Sequence, residues 1–271
     1  MPLAERTLVL IPTYNEADNI GLILDQIFSV EPRLSVLVID DTSPDGTADV
    51  VKERMTKHPN LFLLLRSTNR GFAHSYRDGF RTALLNDRFE AVVTMDADFS
   101  HEPKELPTLI GLLEAGADVA VGSRHAQGGR FPGIALWRRI LSRFANRYVR
   151  WILGTPFTDS TAGFIAMRAS ALRRVPAAQL RSGGYGILFE LKYRLFRSGA
   201  RIVEHPVAWP RRHQGDSKMT LAIMWDSFLL PWKIRLGILP PVRAEVPEAS
   251  LAVVGSQALR VREPQTLEAE R

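Results

Sequence analysis

The sequence predicts an α/β protein built on a mostly parallel sheet, and three observations lead to this class. Over the first 125 residues, short β-branched apolar runs alternate with longer segments of helical period. The 271 residues are 45% hydrophobic and 24% charged, which is enough apolar material for a large buried core. Polar and acidic residues directly follow three of the apolar runs, and ligands of open α/β sheets bind beyond such strand ends.

Five strands are predicted, over residues 7–11, 35–39, 61–65, 91–95 and 118–121. A helix is predicted over 17–28, with Asn15 as its N-cap, because apolar residues recur there at the spacing of one helix face. These apolar residues are Ile20, Ile23, Leu24, Ile27 and Phe28. Further helices fit residues 75–86 and 104–114. The alternation predicts a sheet with helices on both faces.

After Pro132 this alternation ends, and two apolar segments follow. Residues 136–153 predict an amphipathic helix with apolar residues on one side and arginines on the other. The apolar side holds Trp137, Leu141, Phe144, Tyr148 and Trp151, and the other side holds Arg139, Arg143, Arg147 and Arg150. Residues 221–239 are interrupted by charges and a proline, so we expect them to lie at a surface or interface rather than cross a membrane.

The charge distribution predicts an anionic neighbour. The net charge is +6, and residues 122–151 carry seven arginines without a single acidic residue. Nucleic acid, anionic lipid and a phosphorylated substrate all fit this pattern, and charge alone does not choose among them. For any one of these arginines, a solvated helix face is the alternative.

Several classes of site are excluded or disfavoured by what the sequence lacks. Without cysteine there is no disulfide framework, thiolate zinc site or cysteine nucleophile. The sequence also has no G-x-G-x-x-G after the first strand, no P-loop and no G-x-S-x-G elbow. The N-terminal residues show no secretory signal, so we expect an intracellular protein. His101 is expected to be structural.

Acidic residues follow three of the predicted strands. Glu16 lies after the first, Asp40 and its neighbour Asp41 after the second, and Asp96 and Asp98 after the fourth. Parallel strands bring these carboxylates to one edge of the sheet, where a cation or a donor-rich ligand must neutralise them. The Asp-Ala-Asp sequence suits Mg²⁺ or Mn²⁺ together with a substrate diphosphate. A turn or helix cap is the alternative for this short motif.

Several longer motifs resemble the dolichol- or polyprenol-phosphate mannosyltransferases, members of glycosyltransferase family 2 with the GT-A fold. The resemblance extends over about residues 7–220, in the family's order. The segments that carry it are IPTYNEADNI (11–20), VIDDTSPDGTADV (38–50), MDADFSHEPKELP (95–107), GSRHAQGG (122–129), WRRILSRFAN (137–146), DSTAGF (159–164) and RRHQGDSKM (211–219).

The resemblance implies transfer of mannose from GDP-mannose to the phosphate of a membrane polyprenol, with inversion at the anomeric carbon, in glycolipid synthesis for protein glycosylation. It implies that Pro12, Tyr14, Glu16 and Asp40 contact the nucleotide. It also implies that Asp96 and Asp98 hold Mg²⁺ or Mn²⁺ and the diphosphate, and that Arg124 acts with them in catalysis. The residues expected to bind the acceptor phosphate are Arg124, Arg138, Arg212 and Lys218.

The resemblance also implies an organisation of the chain. We expect a GT-A catalytic domain over 1–220, an amphipathic interfacial segment over 221–240 and a flexible polar tail over 241–271. The arginine-rich helix 136–153 would touch the membrane surface, or would pack on the sheet as an ordinary amphipathic helix. The expected location is the cytoplasm, peripheral on the inner face of the membrane, with a separate anchoring protein as a further partner and with no nucleic acid.

Three positions differ from the family's usual motifs: Ala73, Ala162 and Leu188. We expect these departures to bear on which hexose is transferred, because buried hydroxyls need hydrogen-bond partners. The alternatives are therefore transfer of glucose, N-acetylglucosamine or another sugar to the same lipid. A non-catalytic protein that binds nucleotide sugar or membrane is an alternative of another class. A nucleic-acid-binding protein fits the basic charge, but no recognition motif accompanies it.

Overall fold

In the computed structural model, which describes residues 1–175, 180–208, 221–239 and 253–255, eight strands form one mixed sheet. The strands are β1 (Thr7–Thr13), β2 (Ser35–Asp40), β3 (Leu61–Leu65), β4 (Ala91–Thr94), β5 (Val119–Ser123), β6 (Ile165–Arg168), β7 (Ile202–Pro206) and β8 (Val253–Val254). Their order across the sheet is β7-β5-β6-β4-β1-β2-β3-β8.

Helices connect most of these strands. In chain order they are α1 (Ala17–Val30), α2 (Thr47–Met55), α3 (Phe72–Leu84), α4 (Leu106–Glu114), α5 (Leu136–Leu153), α6 (Ala169–Arg173), α7 (Gly186–Arg197) and α8 (Leu221–Arg235). Short 3-10 turns precede β1 at Leu3–Arg6 and α4 at Pro103–Glu105. The predicted helix over 136–153 is confirmed at both ends.

The centre of the sheet is parallel, as predicted. β1 pairs in parallel with β2 and β4, and β2 with β3, so that the carboxyl ends of these four strands lie at one edge. β6 runs antiparallel between β4 and β5, while β7 is parallel to β5. The five predicted strands are confirmed, with ends that differ by at most two residues. β6 and β7 were not among them.

The sheet is buried on both faces, and side chains alternate between two hydrophobic cores. Val9 and Ile11 of β1 point to the core shared with α1, α2 and α4. Leu8 and Leu10 point to the opposite core, formed with α3, α6 and α7. Burial on both faces explains why the central strands read as continuous apolar runs. The predicted layers, with helices on both faces, are confirmed.

The start of α1 differs from the prediction. Asn15 is not the N-cap: it has a φ of 60°, and Glu16 occupies the cap position without a capping hydrogen bond from its side chain. The amides there are instead satisfied by the loop after β2. The amide of Ala17 donates to Asp45 Oδ2 at 3.0 Å, and that of Glu16 to Thr47 Oγ1 at 3.0 Å. A long-range contact has replaced the local cap.

The apolar side of α5 does not pack on the sheet as a whole. Val149, Ile152 and Leu153 are buried, where they pack with Phe189 and Ile234. By contrast, most of the predicted apolar side is solvent-exposed, with exposed fractions of 61% for Trp137, 47% for Leu141, 68% for Phe144 and 75% for Trp151. Neighbouring α8 adds exposed Phe228, Leu229 and Trp232. None of the helices in the described ranges has both the length and the hydrophobicity for a membrane crossing.

Part of the segment expected to be a flexible tail joins the sheet. β8 pairs antiparallel with β3, with Val253 opposite Leu64 and Val254 opposite Leu63. These two valines are β-branched and extend a strand edge that would otherwise be open. Apart from Gly255, the other residues of the expected tail lie outside the described ranges.

Candidate active site

A cleft of about 680 Å³ opens at the carboxyl edge of the parallel strands. Its walls come from the segments that follow β1, β2, β3 and β4, and from Tyr185 at the start of α7. Five of the residues expected to bind the donor side line it: Pro12, Tyr14, Glu16, Asp96 and Asp98. The cleft therefore lies at the strand ends, where ligands of open α/β sheets bind.

The acidic pair stands on a tight turn after β4. Asp98 is 8% exposed, and its Oδ1 accepts a hydrogen bond from the amide of Ser100 at 3.0 Å. The amide of Asp96 donates to His101 Nδ1 at 2.8 Å, and the buried His101 ring stacks on Phe164. This hydrogen bond agrees with the structural role expected of His101. The turn thus fixes two carboxylates at the edge of the cleft.

This donor set fits a hard divalent ion that is completed by its substrate. Within the described ranges no three or more acidic or histidine side chains cluster closely enough to hold a metal by themselves. Asp96 and Asp98 offer one or two carboxylate oxygens each, and the lone pair of His101 Nδ1 is already used by the Asp96 amide. Mg²⁺ and Mn²⁺ are often held by one or two carboxylates together with substrate phosphates.

Asp40 does not line the cleft, although it was expected to contact the nucleotide. Asp40 is fully buried and accepts hydrogen bonds from Thr13 Oγ1 at 2.9 Å and from the Ser43 amide and hydroxyl at 2.9 and 2.6 Å. Its neighbour Asp41 is the one that lines the cleft. Because β2 is buried on both faces, the sequence pattern gave no indication of which carboxylate faces the cleft.

A buried ion network supports the next wall of the cleft. Arg66 is bound to Asp41 and, at 2.7 Å, to Asp78, and it donates to the carbonyl of Asn69 at 2.7 Å. The amide of Gly71 donates to Asp41 Oδ2 at 2.5 Å. Gly71 has a φ of 125°, a conformation that favours glycine. The network therefore holds the 69–71 loop on both sides.

That loop places Arg70 in the cleft wall, beside several carboxylates. Arg70 was not among the predicted site residues, because the prediction rested on acidic residues at the strand ends. The signal was present, since Arg66 directly follows β3 and Arg70 comes four residues later, so basic residues mark this strand end. A guanidinium at this edge is suited to phosphate.

A second polar centre lies at the end of β5. The guanidinium of Arg124 forms a bidentate pair with Asp159, at 2.7 Å from Nε and 2.8 Å from Nη2. Asp159 is fully buried. Burial acts to raise the pKa of this carboxyl, but the Arg124 charge and hydrogen bonds outweigh it and hold the pKa of Asp159 well below its usual range. Arg124 is therefore fixed in direction by a permanent anion.

The loop around Asp159 is held by two neighbours. Glu204 on β7 accepts the amides of Thr158 at 2.8 Å and Asp159 at 3.0 Å. Asn146 on α5 accepts the amide of Ser160 at 2.7 Å through Oδ1. This last bond joins the Arg124 centre to the helix that carries the exposed apolar side chains.

The remaining expected residues are distributed over the structure. Arg138 is exposed in the first turn of α5, with its guanidinium carbon 5.1 Å from the Trp137 ring centroid. Arg212 and Lys218 lie outside the described residues. The three departures from the family motifs, Ala73, Ala162 and Leu188, are buried in the hydrophobic core on the side of α3 and α7. Their effect on the choice of sugar stays a prediction.

The strand order and the acidic turn define the class as a GT-A-like glycosyltransferase fold, and a comparison with solved structures agrees. Glucosyl-3-phosphoglycerate synthase from Mycobacterium tuberculosis, in complex with Mn²⁺, UDP and glucosyl-3-phosphoglycerate, matches with a TM-score of 0.62 and 18% identity. The match covers 86% of this chain and 80% of that one. At this identity the likeness shows the fold.

Sequence comparison gives the family: the chain belongs to glycosyl transferase family 2, whose model matches residues 8–176. Undecaprenyl-phosphate mannosyltransferase from Micrococcus luteus is 38% identical over 222 residues, covering 82% of this chain and 90% of that protein. Polyprenol monophosphomannose synthase from Mycolicibacterium smegmatis is 38% identical over 217 residues, covering 80% and 82%. Dolichol-phosphate mannosyltransferase from Pyrococcus furiosus is 32% identical, covering 78% and 58%.

Proposed function

We propose that the protein transfers mannose from GDP-mannose to the phosphate of a membrane polyprenol, with inversion at the anomeric carbon. The observation that carries this proposal is the acidic pair Asp96 and Asp98 at the edge of the cleft, in a chain 38% identical to polyprenol-phosphate mannosyltransferases. Asp98 is nearly buried, yet it faces the cleft. A carboxylate in that position is suited to a cation rather than to packing.

On the donor side, the nucleotide would lie in the cleft against Pro12, Tyr14 and Glu16, with Asp40 behind the wall it shares with Asp41. Asp96 and Asp98 would hold Mg²⁺ or Mn²⁺ together with the diphosphate. When bound, the ion stabilises the negative charge that develops on the departing diphosphate. These roles are supported by the lining of the cleft.

The acceptor needs positioning more than activation. A phosphomonoester has a second pKa of about 6, so that at neutral pH the polyprenyl phosphate is already a nucleophile. One of its oxygens attacks the anomeric carbon while the bond from that carbon to the diphosphate oxygen breaks, and GDP leaves with the bonding electrons. Arg124 would orient the phosphate, supported by Asp159. Arg138, Arg212 and Lys218 are the further proposed acceptor residues.

The exposed apolar side chains of α5 and α8 are proposed to meet the bilayer in which the acceptor resides. Trp137, Phe144 and Trp151 on α5 lie exposed beside the arginines of the same helix. Amphipathic helices with aromatic and cationic residues bind the membrane interface in this way. Residues 221–240, which include α8, would form the interfacial segment of a peripheral protein on the cytoplasmic face. Membrane binding by the purified chain alone tests whether a separate anchoring protein is needed.

The experiment is sugar transfer in detergent from a panel of GDP- and UDP-sugars to undecaprenyl phosphate, with and without Mn²⁺. Mannolipid from GDP-mannose alone is the expected product. Product from another donor would make this a transferase for a different sugar. No product from any donor, together with intact GDP binding, would favour a binding protein without catalysis.

A further inference from the structure

A buried lysine that the proposed mechanism does not use lies behind the loop that carries Asp159. Lys192 on α7 is 1% exposed. Its Nζ donates to the carbonyl oxygens of Asp159 at 3.1 Å and Ala162 at 2.6 Å. Among the described residues it forms no direct ion pair with a carboxylate. Burying an ammonium in this way is costly, whereas an apolar side chain of the same length would fill the space.

We propose that Lys192 is a positioning residue for the acceptor phosphate: it fixes the 159–162 loop through two carbonyl oxygens, and its charge balances the carboxylates around Arg124. This inference rests on the proposed function, because the anion to be bound is the acceptor phosphate of that reaction.

The geometry gives Lys192 control over one side of the Arg124 centre. Its two acceptor carbonyls belong to the first and last residues of the 159–162 loop. The same loop carries the two groups that hold the guanidinium, namely the Asp159 carboxylate and the Thr161 hydroxyl, which accepts from Arg124 Nη2 at 2.6 Å. Loss of the Lys192 contacts would leave this side of the loop less fixed, and the Arg124 guanidinium would then no longer be held in one orientation.

Lys192 also contributes to the net charge of the cluster around Arg124. The charged groups that act on Lys192 are Asp159 on the loop, Arg124 at the end of β5 and Glu204 on β7. With the lysine protonated, two cations balance two carboxylates. With the lysine neutral, the same cluster carries one net negative charge and would repel an incoming phosphate.

The balance is sensitive to pH in the physiological range. Burial lowers the pKa of Lys192 from 10.5 to about 7, with Asp159 acting to raise it and Arg124 to lower it further. As the pH rises through 7, the ammonium is lost and the cluster becomes negative. The KM for polyprenyl phosphate should then rise roughly tenfold between pH 6 and pH 9, while the KM for GDP-mannose changes little.

The test compares the full-length wild type with Lys192→Gln, which keeps an N–H donor without the charge, and with Lys192→Met, which keeps neither. Lys52→Met is the matched control, because Lys52 is an exposed lysine on α2 that pairs with Asp49. KM for undecaprenyl phosphate and for GDP-mannose is measured from pH 6 to pH 9. The acceptor's own second ionisation is common to all four proteins, so the differences between them are informative.

We expect both Lys192 variants to raise the acceptor KM at pH 6.5 roughly tenfold, with donor KM and kcat within about twofold, and to lose the additional rise above pH 7. The rise in acceptor KM should be smaller for Lys192→Gln than for Lys192→Met. Acceptor KM values and pH profiles that match wild type in both variants would overturn the proposal. So would an equal rise in donor and acceptor KM, which indicates general loosening of the fold.

A measurement on the wild type alone keeps the proposal testable if a variant does not fold. In protein labelled with ¹³C at the lysine ε-carbons, one resonance should titrate near pH 7, and addition of undecaprenyl phosphate in detergent should raise its pKa. A pKa that the lipid leaves unchanged would refute the positioning role. A wild type that transfers no sugar would instead refute the proposed function, so the two failures are distinct.

Discussion

Replacing Arg66 by methionine is expected to destabilise the protein strongly, because this arginine is a buried partner of two carboxylates. Its side chain is 2% exposed, and it binds Asp41 and Asp78, which are themselves nearly buried. Removing one partner of a buried ion pair costs about 3–5 kcal/mol, since the remaining charge stays unpaired. For a protein of this size, such a loss lowers the Tm by roughly 10 °C.

The assay is thermal unfolding followed by circular dichroism, with isothermal titration of GDP on the same samples. GDP affinity should also fall, because Asp41 and Arg66 hold the 69–71 loop in the cleft wall. Arg33→Met is the matched control: Arg33 is exposed and pairs with Glu31 at 2.8 Å, and exposed surface pairs contribute little to stability.

A compensating variant separates the ion pairs from simple packing. If Arg66→Met is combined with Asp41→Asn and Asp78→Asn, no unpaired buried charge remains, and we expect about half of the lost stability to return. A loss below about 1 kcal/mol in Arg66→Met alone, or a loss equal to that of Arg33→Met, would refute the assignment of the network as a support of the cleft.

Three further predictions concern the site, the membrane and pH. Asp98→Asn should lower mannose transfer at least about a thousandfold at unchanged Tm. The control is Asp49→Asn, at an exposed aspartate, and retained activity in Asp98→Asn would mean that the metal binds at another site. Phe144→Ser should weaken binding to anionic vesicles about tenfold in flotation assays, whereas Leu22→Ser, also exposed but on α1, should not; equal effects would contradict the proposed surface. The pKa of Lys192 is lowered to about 7 in the folded protein, so between pH 7 and 10.5 the unfolded chain binds more protons than the folded one. The free energy of unfolding of the wild type, measured by urea unfolding, should therefore rise with pH relative to that of Lys192→Met by a few kcal/mol. A difference between the two proteins that does not change with pH would contradict this.

The sequence predicted the parallel centre of the sheet well, because a strand buried on both faces consists of a continuous run of apolar residues. The elements it missed have weaker patterns. α2 buries only Thr47 and Val51, so its helical period is faint. β7 is half-buried along its whole length and contains Glu204 and His205, which breaks the apolar run. Local sequence carries little information about an element that is fixed mainly by its neighbours.

The sequence indicated the positions of residues that directly follow strands, but it gave no sign of contacts between residues on separate elements. Asp96 and Asp98 follow a strand directly, so their place at the sheet edge could be read from the sequence. The pairing of Asp41 with Arg66, and the carbonyl contacts of Lys192, join residues on separate elements. No spacing of residues along the sequence predicts such contacts.

The measurement that tests the central claim most directly is the structure of the lipid product. The purified protein is incubated with GDP-α-mannose, undecaprenyl phosphate and Mn²⁺, and the extracted lipid is examined by mass spectrometry and NMR. We expect a mannosyl phosphate lipid of β configuration, formed only with the divalent ion present. An α-linked product, or β-linked product formed equally in EDTA, would contradict inverting transfer at the Asp96 and Asp98 site.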